Sequence, residues 1–193
     1  MNRAQSWRTV DILVAAAIGV AFGVVFWAWN LVWAAATPVF LAFPPSQYLL
    51  YGIWLLPGVL GGLVVRKPGA ALFTELVAAS VSALIGSQWG LDTVVSGALQ
   101  GGAAELVFAA GRYRSWGPVT AVLAGAAAGV AAWLHDMPLY YPELPIADQL
   151  LFLPFMVASA AAVAGAGAWL LWRSLLAAGA LSAFPSGRAQ PRV

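Results

Sequence analysis

Residues 10–33 read VDILVAAAIGVAFGVVFWAWNLVW. Apolar side chains fill this run, and its length is near the ~20 residues that carry an α-helix across ~30 Å of hydrocarbon. It is too long for the roughly 7–15-residue core of a signal peptide, so it predicts a retained membrane-spanning helix, even with Ala34, Ala35 and Ala36 behind it as small residues of the cleavage-site kind. Five further apolar runs follow, at about 48–65, 69–86, 92–111, 118–135 and 147–172. Of the 193 residues, 62% are hydrophobic and 8% charged, against about 25% charged in soluble proteins. That balance excludes most soluble folds and the opposite extreme, disorder. The net charge of +2 leaves no basic surface for nucleic acid. With no cysteine there is no disulfide framework, thiolate metal site or Cys nucleophile. The expectation is an all-α integral membrane protein of six transmembrane helices, one domain over residues 1–193.

The basic residues support the count of six. Arg3 and Arg8 precede the first run, and Arg66 and Lys67 follow the second. Arg112 and Arg114 follow the fourth, and Arg173, Arg188 and Arg192 follow the sixth. These are all the Lys and Arg of the chain, and with six crossings they share one side; five or seven crossings would scatter them. By the positive-inside rule that side is cytoplasmic, so both termini are expected in the cytoplasm. The outer side then carries Asp92, Asp136, Glu143 and Asp148 and two longer loops, 34–47 and 136–146. The first of these holds Pro38, Pro44 and Pro45, reads as ordered but not regular helix, and is the natural lid over an outward-facing site. Trp27, Trp29, Trp33, Trp89 and Trp133 fall near the outer interface, where an aromatic belt is the ordinary reading and one or two could stack on a ligand. Ser174–Phe184 is apolar but too short to span, so it continues helix six or lies in the interface. Pro185–Val193 reads as a frayed tail.

Two carboxylates fall well inside expected spans, away from their ends. A charge at mid-bilayer costs a few kcal/mol even on the lenient scale, and such residues face the bundle interior. Glu75 lies eight residues beyond Lys67, ~12 Å along a helix, and Glu105 seven before Arg112, ~10 Å; at similar depth, they could line one cavity. No Lys or Arg lies inside a span to neutralise them. Each is therefore protonated and hydrogen-bonded, for instance to Gln100 or Ser80, or awaits a cationic ligand, or belongs to a proton or sodium relay to which only His135 would add. Gly97, Gly101 and Glu105 share one helix face, a close-packing stripe that could also leave room for a flat ligand beside Gln100. Pro57 predicts a kink in the second span. Tyr48, Tyr51 and Trp54 above it form an aromatic column that could stack on a planar ring or simply fill the core. Ala15, Gly19 and Gly23 form a second small-residue stripe, for a contact within the bundle or with another subunit. His135 beside Asp136 reads as a solvated pair, and with no second His a metal site is not expected. No nucleophile is set beside a base and there is no P-loop, so the chain is expected neither to be an enzyme nor to hydrolyse ATP itself.

Three blocks carry a family resemblance: Tyr51-Gly52-Ile53-Trp54; Arg66-Lys67-Pro68-Gly69-Ala70-Ala71-Leu72 followed by Glu75 and Ala78-Ala79; and Gln100-Gly101 with Ala104-Glu105 and Val107-Phe108. They resemble the YkoE family, substrate-binding S components of energy-coupling factor (ECF) transporters associated with thiamin and its hydroxymethylpyrimidine precursor. The resemblance runs from the first span to the fifth. It implies a multi-pass protein of the bacterial cell membrane that binds thiamin from outside, holds no cofactor of its own, and works with a transmembrane coupling subunit and two cytoplasmic ATPases. It also implies that Ala15, Gly19 and Gly23 meet the coupling subunit. The expected ligand contacts are Glu75, Glu105 and Gln100 for the polar edges and charge, Trp54 and Tyr51 for stacking, Trp33 or Trp133 nearer the mouth, and Asn30 and His135 as outer candidates. Three other readings remain: an S component for another vitamin or for hydroxymethylpyrimidine itself, a stand-alone proton- or ion-coupled carrier, and a non-transport membrane scaffold in which the Glu pair is a protonated packing feature.

Overall fold

The computed structural model describes residues 6–182, and every regular element among them is helical. Helix α1 spans Thr9–Ala36 and ends in a 3-10 turn, Thr37–Phe40. The second crossing has two parts, a 3-10 stretch over Pro44–Leu55 and α2 over Leu56–Val65. Helices α3 (Ala70–Leu84), α4 (Asp92–Ala110) and α5 (Pro118–Tyr140) follow. The last helical stretch, α6, covers Ile146–Ala177 and widens to a π-helix over Ala160–Gly167. All six expected runs are helices; five stretches are long and apolar enough to cross a membrane, and α3, at 15 residues, is shorter. The bounds differ in places. Helix α5 runs on through Pro138 to Tyr140, past the expected end at His135. Ser174 to Ala177 continue α6, while Phe184 and the expected tail Pro185–Val193 lie outside the described residues.

The second crossing is the centre of the bundle. Every residue of α2 is buried, whereas Leu13, Leu31, Val119, Leu134 and Leu170 on other helices are more than half exposed and form the lipid-facing surface. Around α2, α1 packs on α3, α3 on α4, α4 on α5, and α5 on the π-helical part of α6. Lipid gives apolar side chains no reason to leave it, so such contacts depend on close approach of backbones. Gly19 and Gly23 show this. A Cβ on Gly19 would sit 2.6 Å from Val77 Cβ, and one on Gly23 2.5 Å from Val81 Cβ. The Ala15, Gly19, Gly23 stripe, matched by resemblance to a coupling-subunit contact, is therefore buried within the bundle against α3, because the neighbouring helix fills the notch that the small residues leave.

One end of the bundle collects the basic residues. Lys67 Nζ lies 2.7 Å from Asp11 Oδ2 and also donates to the Ser6 carbonyl. Arg8 pairs with the same Asp11 at 2.8 Å, and Trp7 Nε1 donates to the Pro68 carbonyl. The Arg66 guanidinium lies over the rings of Trp116 and Trp172. The beginning of the chain, the α2–α3 loop, the α4–α5 loop and the end of α6 thus meet at one end, as an even number of crossings requires. Asp11, fully buried, is the carboxylate that anchors this end.

Because both Cβ positions are blocked by atoms fixed to the α3 backbone, Gly19→Val should destabilise the bundle by about 1–3 kcal/mol. Thermal unfolding in detergent should show a midpoint several degrees lower, at ~2–4 °C per kcal/mol. Leu13→Val on the lipid-facing surface should leave it unchanged.

Candidate functional site

The 3-10 geometry of Pro44–Leu55 shapes the site. At three residues per turn, side chains three apart eclipse one another, so Tyr48, Tyr51 and Trp54 stand in one column. The two Tyr rings are stacked, with centroids 5.7 Å apart, and Trp54 meets Tyr51 edge-on at 5.3 Å. Trp33 from α1 packs against all three, and Trp89 from the α3–α4 loop packs on Trp54 at 5.2 Å. Helix α6 supports the backbone of this stretch: Ser159 Oγ accepts from the Gly52 amide and donates to the Leu49 carbonyl. Pro57 falls in the first turn of α2, where a missing N–H costs nothing. The expected irregularity is thus the change from 3-10 to α-helix at Leu55–Leu56.

Beside the column lies a cavity of about 240 Å³ bounded by α1, the 3-10 stretch, α3, α4 and the end of α5. Glu75 forms part of its buried end. One carboxylate oxygen, Oε2, accepts the Gly58 amide at 2.7 Å; Gly58 is in the first turn of α2, whose amides lack partners within their own helix. The other oxygen, Oε1, is buried and has no partner, and the same is true of Ser82 Oγ on the cavity wall. Two glycines make room for this side chain. A Cβ on Gly58 would lie 2.9 Å from Glu75 Oε2, and one on Gly101 2.7 Å from Glu75 Cβ.

The opposite end of the cavity is more exposed and is acidic. Tyr51 donates to Asp136 Oδ2 at 2.6 Å and accepts from Gln100 Nε2 at 3.1 Å. Tyr140, itself partly in solvent, donates to Asp92 Oδ2. His135 joins the two carboxylates, with Nδ1 2.9 Å from Asp136 Oδ1 and Nε2 3.2 Å from Asp92 Oδ1. Among the described residues, no Lys or Arg lines the cavity.

Of the residues expected at a site, Glu75, Gln100, Trp54, Tyr51, Trp33 and Asn30 line this cavity. Asn30 accepts from Trp54 Nε1 at 3.1 Å, which fixes the indole. Three expected residues do not line it. Glu105 faces the start of α3, where it accepts the amides of Gly69 and Ala71 and the Tyr113 hydroxyl at 2.7–2.9 Å; the unpaired amides of a helix N-terminus attract a carboxylate. Burial, followed by the Glu105 contact, pushes the Tyr113 hydroxyl up to about 12, so it remains a donor. Trp133 donates to the Gln149 carbonyl and ties α5 to α6. His135 stands behind the wall and acts on the cavity through Asp92 and Asp136. The 34–47 loop contributes no lining residue; Gln47 fastens it to the Trp33 carbonyl and Thr37 Oγ1.

Composition and spacing did not single out Asp92, Asp136, Tyr140 or Tyr141 as lining. The apolar run stops at His135, which by sequence alone puts Asp136 in the outer loop. The adjacent His-Asp pair was the available signal, and it needed a helix that continues through Pro138.

With that geometry established, comparison with known proteins identifies the family. Residues 10–131 match the family model described as "ABC-type cobalt transport system, permease component". The fold superposes on a crystal structure of an S-component of an ECF transporter with a TM-score of 0.89 and 30% identity, covering 95% of this chain and 92% of that one. The chain belongs to the S components of ECF transporters. A curated relative in Bacillus subtilis (strain 168), "Putative HMP/thiamine permease protein YkoE", is 33% identical over 135 residues. That alignment takes in 69% of this chain and 66% of the relative, just under two thirds of its length. This S component is thus a multi-pass membrane protein of a transport family, and among its described residues no three His, Cys, Asp or Glu side chains gather to hold a metal ion.

The two glutamates should respond oppositely to substitution in the ligand-free protein. Glu105→Ala removes the acceptor of three donors and should destabilise by about 1–3 kcal/mol. Glu75→Gln keeps an acceptor for Gly58 and removes a buried, half-partnered carboxyl group, so it should unfold at the same temperature or higher. Thermal scans of the two variants side by side check this.

Proposed function

We propose that this S component captures thiamin, or its hydroxymethylpyrimidine precursor, for ATP-driven import. The observation that carries the reading is Glu75, a residue of the cavity wall whose buried carboxylate oxygen Oε1 has no partner. Such a group is costly when the site is empty and is compensated by a ligand that donates to it or carries positive charge. Thiamin offers both, an aminopyrimidine edge with N–H donors and a permanently cationic thiazolium. Its two flat rings suit walls built from Tyr51, Trp54, Trp33 and Trp89. The name of the Bacillus relative points to the same ligand class, and the cobalt of the family description finds no ligand set among the described residues.

The basic end of the bundle faces the cytoplasm by the positive-inside rule, which puts Asp92 and Tyr140 at the outer mouth. Delivery into the cell then requires the partners of an ECF transporter, a transmembrane coupling subunit and two ATPases. Since the small-residue stripe of α1 is occupied by α3, the coupling subunit would meet other surfaces or a rearranged bundle.

Calorimetry on the purified chain in detergent tests the ligand. Thiamin should bind tightly, hydroxymethylpyrimidine more weakly and riboflavin not at all. Glu75→Gln should weaken thiamin by about 10- to 100-fold, as expected for a lost charge-assisted hydrogen bond. Binding of none of the three, or a Glu75→Gln affinity equal to wild type, would refute the reading.

A further inference from the structure

The cavity separates its acidic groups by depth. Glu75, 1% exposed, marks the inner end. Asp92, with a side chain 26% exposed, and Asp136 mark the outer one. Both ring nitrogens of His135 face carboxylate oxygens, and a protonated His135 would donate to both. The imidazolium offsets one of the two carboxylates and leaves the outer group with a net negative charge. All Lys and Arg among the described residues lie toward the other end of the bundle or outside the lining. Anything that enters therefore passes a rim of net negative charge whose lining, among the described residues, holds no Lys or Arg.

We propose that Asp92 and Asp136 are specificity-determining residues that admit the cationic, unphosphorylated ligand and reject its phosphate esters. This rests on the thiamin reading above and deepens it. A ligand whose amino-pyrimidine edge satisfies Glu75 Oε1 directs its other ring, and the hydroxyethyl arm that carries the phosphate in the esters, toward Asp92 and Asp136. A phosphate there adds between one and two negative charges beside a net negative group. Like charges so placed repel in the rejected complex and attract the cation in the accepted one. The unpartnered Glu75 Oε1 and Ser82 Oγ mark the cavity as built for a ligand independently of the rim.

The test compares thiamin, thiamin monophosphate and O-acetylthiamin, which extends the same arm without charge, by calorimetry at pH 7. At low salt the monophosphate should bind at least about tenfold more weakly than thiamin, and the acetyl ester close to thiamin. Added salt should narrow the gap between thiamin and its phosphate, and Asp92→Asn should narrow it too, thiamin losing affinity as the phosphate gains. Equal binding of thiamin and the monophosphate, or a gap that neither salt nor Asp92→Asn moves, overturns the proposal. Loss of the acetyl ester along with the phosphate would assign the exclusion to size and overturn it as well. Failure of thiamin itself to bind would instead remove the ligand reading underneath.

Discussion

The hydrogen bond from the Gly58 amide to Glu75 Oε2, 2.7 Å long, holds a carboxylate at the inner end of the cavity, and much of the fold is arranged around what it requires. The amide is free to donate because α2 starts at Leu56, after twelve residues of 3-10 helix. A 3-10 run of that length is uncommon and marks a sequence under constraint. Two prolines start it, the Gly52–Ser159 contact supports it, and Pro57 closes it at a position where no amide is needed. The carboxylate reaches the amide because Gly58 and Gly101 leave the space that side chains would fill. Its second oxygen is buried and has no partner.

The same 3-10 stretch sets the aromatic wall. Tyr48, Tyr51 and Trp54 share a face only at three residues per turn; at 3.6 the column would wind away from the cavity. Tyr51 then joins the wall to the polar network, since its hydroxyl donates to Asp136 and accepts from Gln100. Anion, aromatic face and amide edge are thereby held by four different elements. Binding chemistry of this kind depends on the relative placement of helices, which the glycine notches between α1 and α3 and between α3 and α4 determine.

Much of this was legible in the sequence. Six apolar runs and the one-sided placement of Lys and Arg gave the architecture through elementary solvation physics. Glu75 was legible because a carboxylate in a span without a basic partner needs a reason. Depth along a helix, however, says nothing of which loop a side chain meets. Counting along the helices sets Glu105 at the depth of Glu75, yet it lies level with the start of α3 and serves the backbone amides of Gly69 and Ala71, and backbone donors have no sequence signature. The Ala15, Gly19, Gly23 stripe was visible as a contact surface, but its partner, α3, was not. Asp136 was missed because an apolar run ends where polarity begins, while the helix carrying it goes on for another turn.

The central claim is that Glu75 Oε1 is the atom the ligand satisfies. A structure of the protein with thiamin bound tests it most directly. The account predicts the ligand between Trp54 and Tyr51 on one side and Gln100 on the other, with a ring amino group within hydrogen-bond distance of Glu75 Oε1 and Gly58 still on Oε2. Thiamin bound elsewhere, or bound in this cavity with Oε1 still unpartnered, would contradict it.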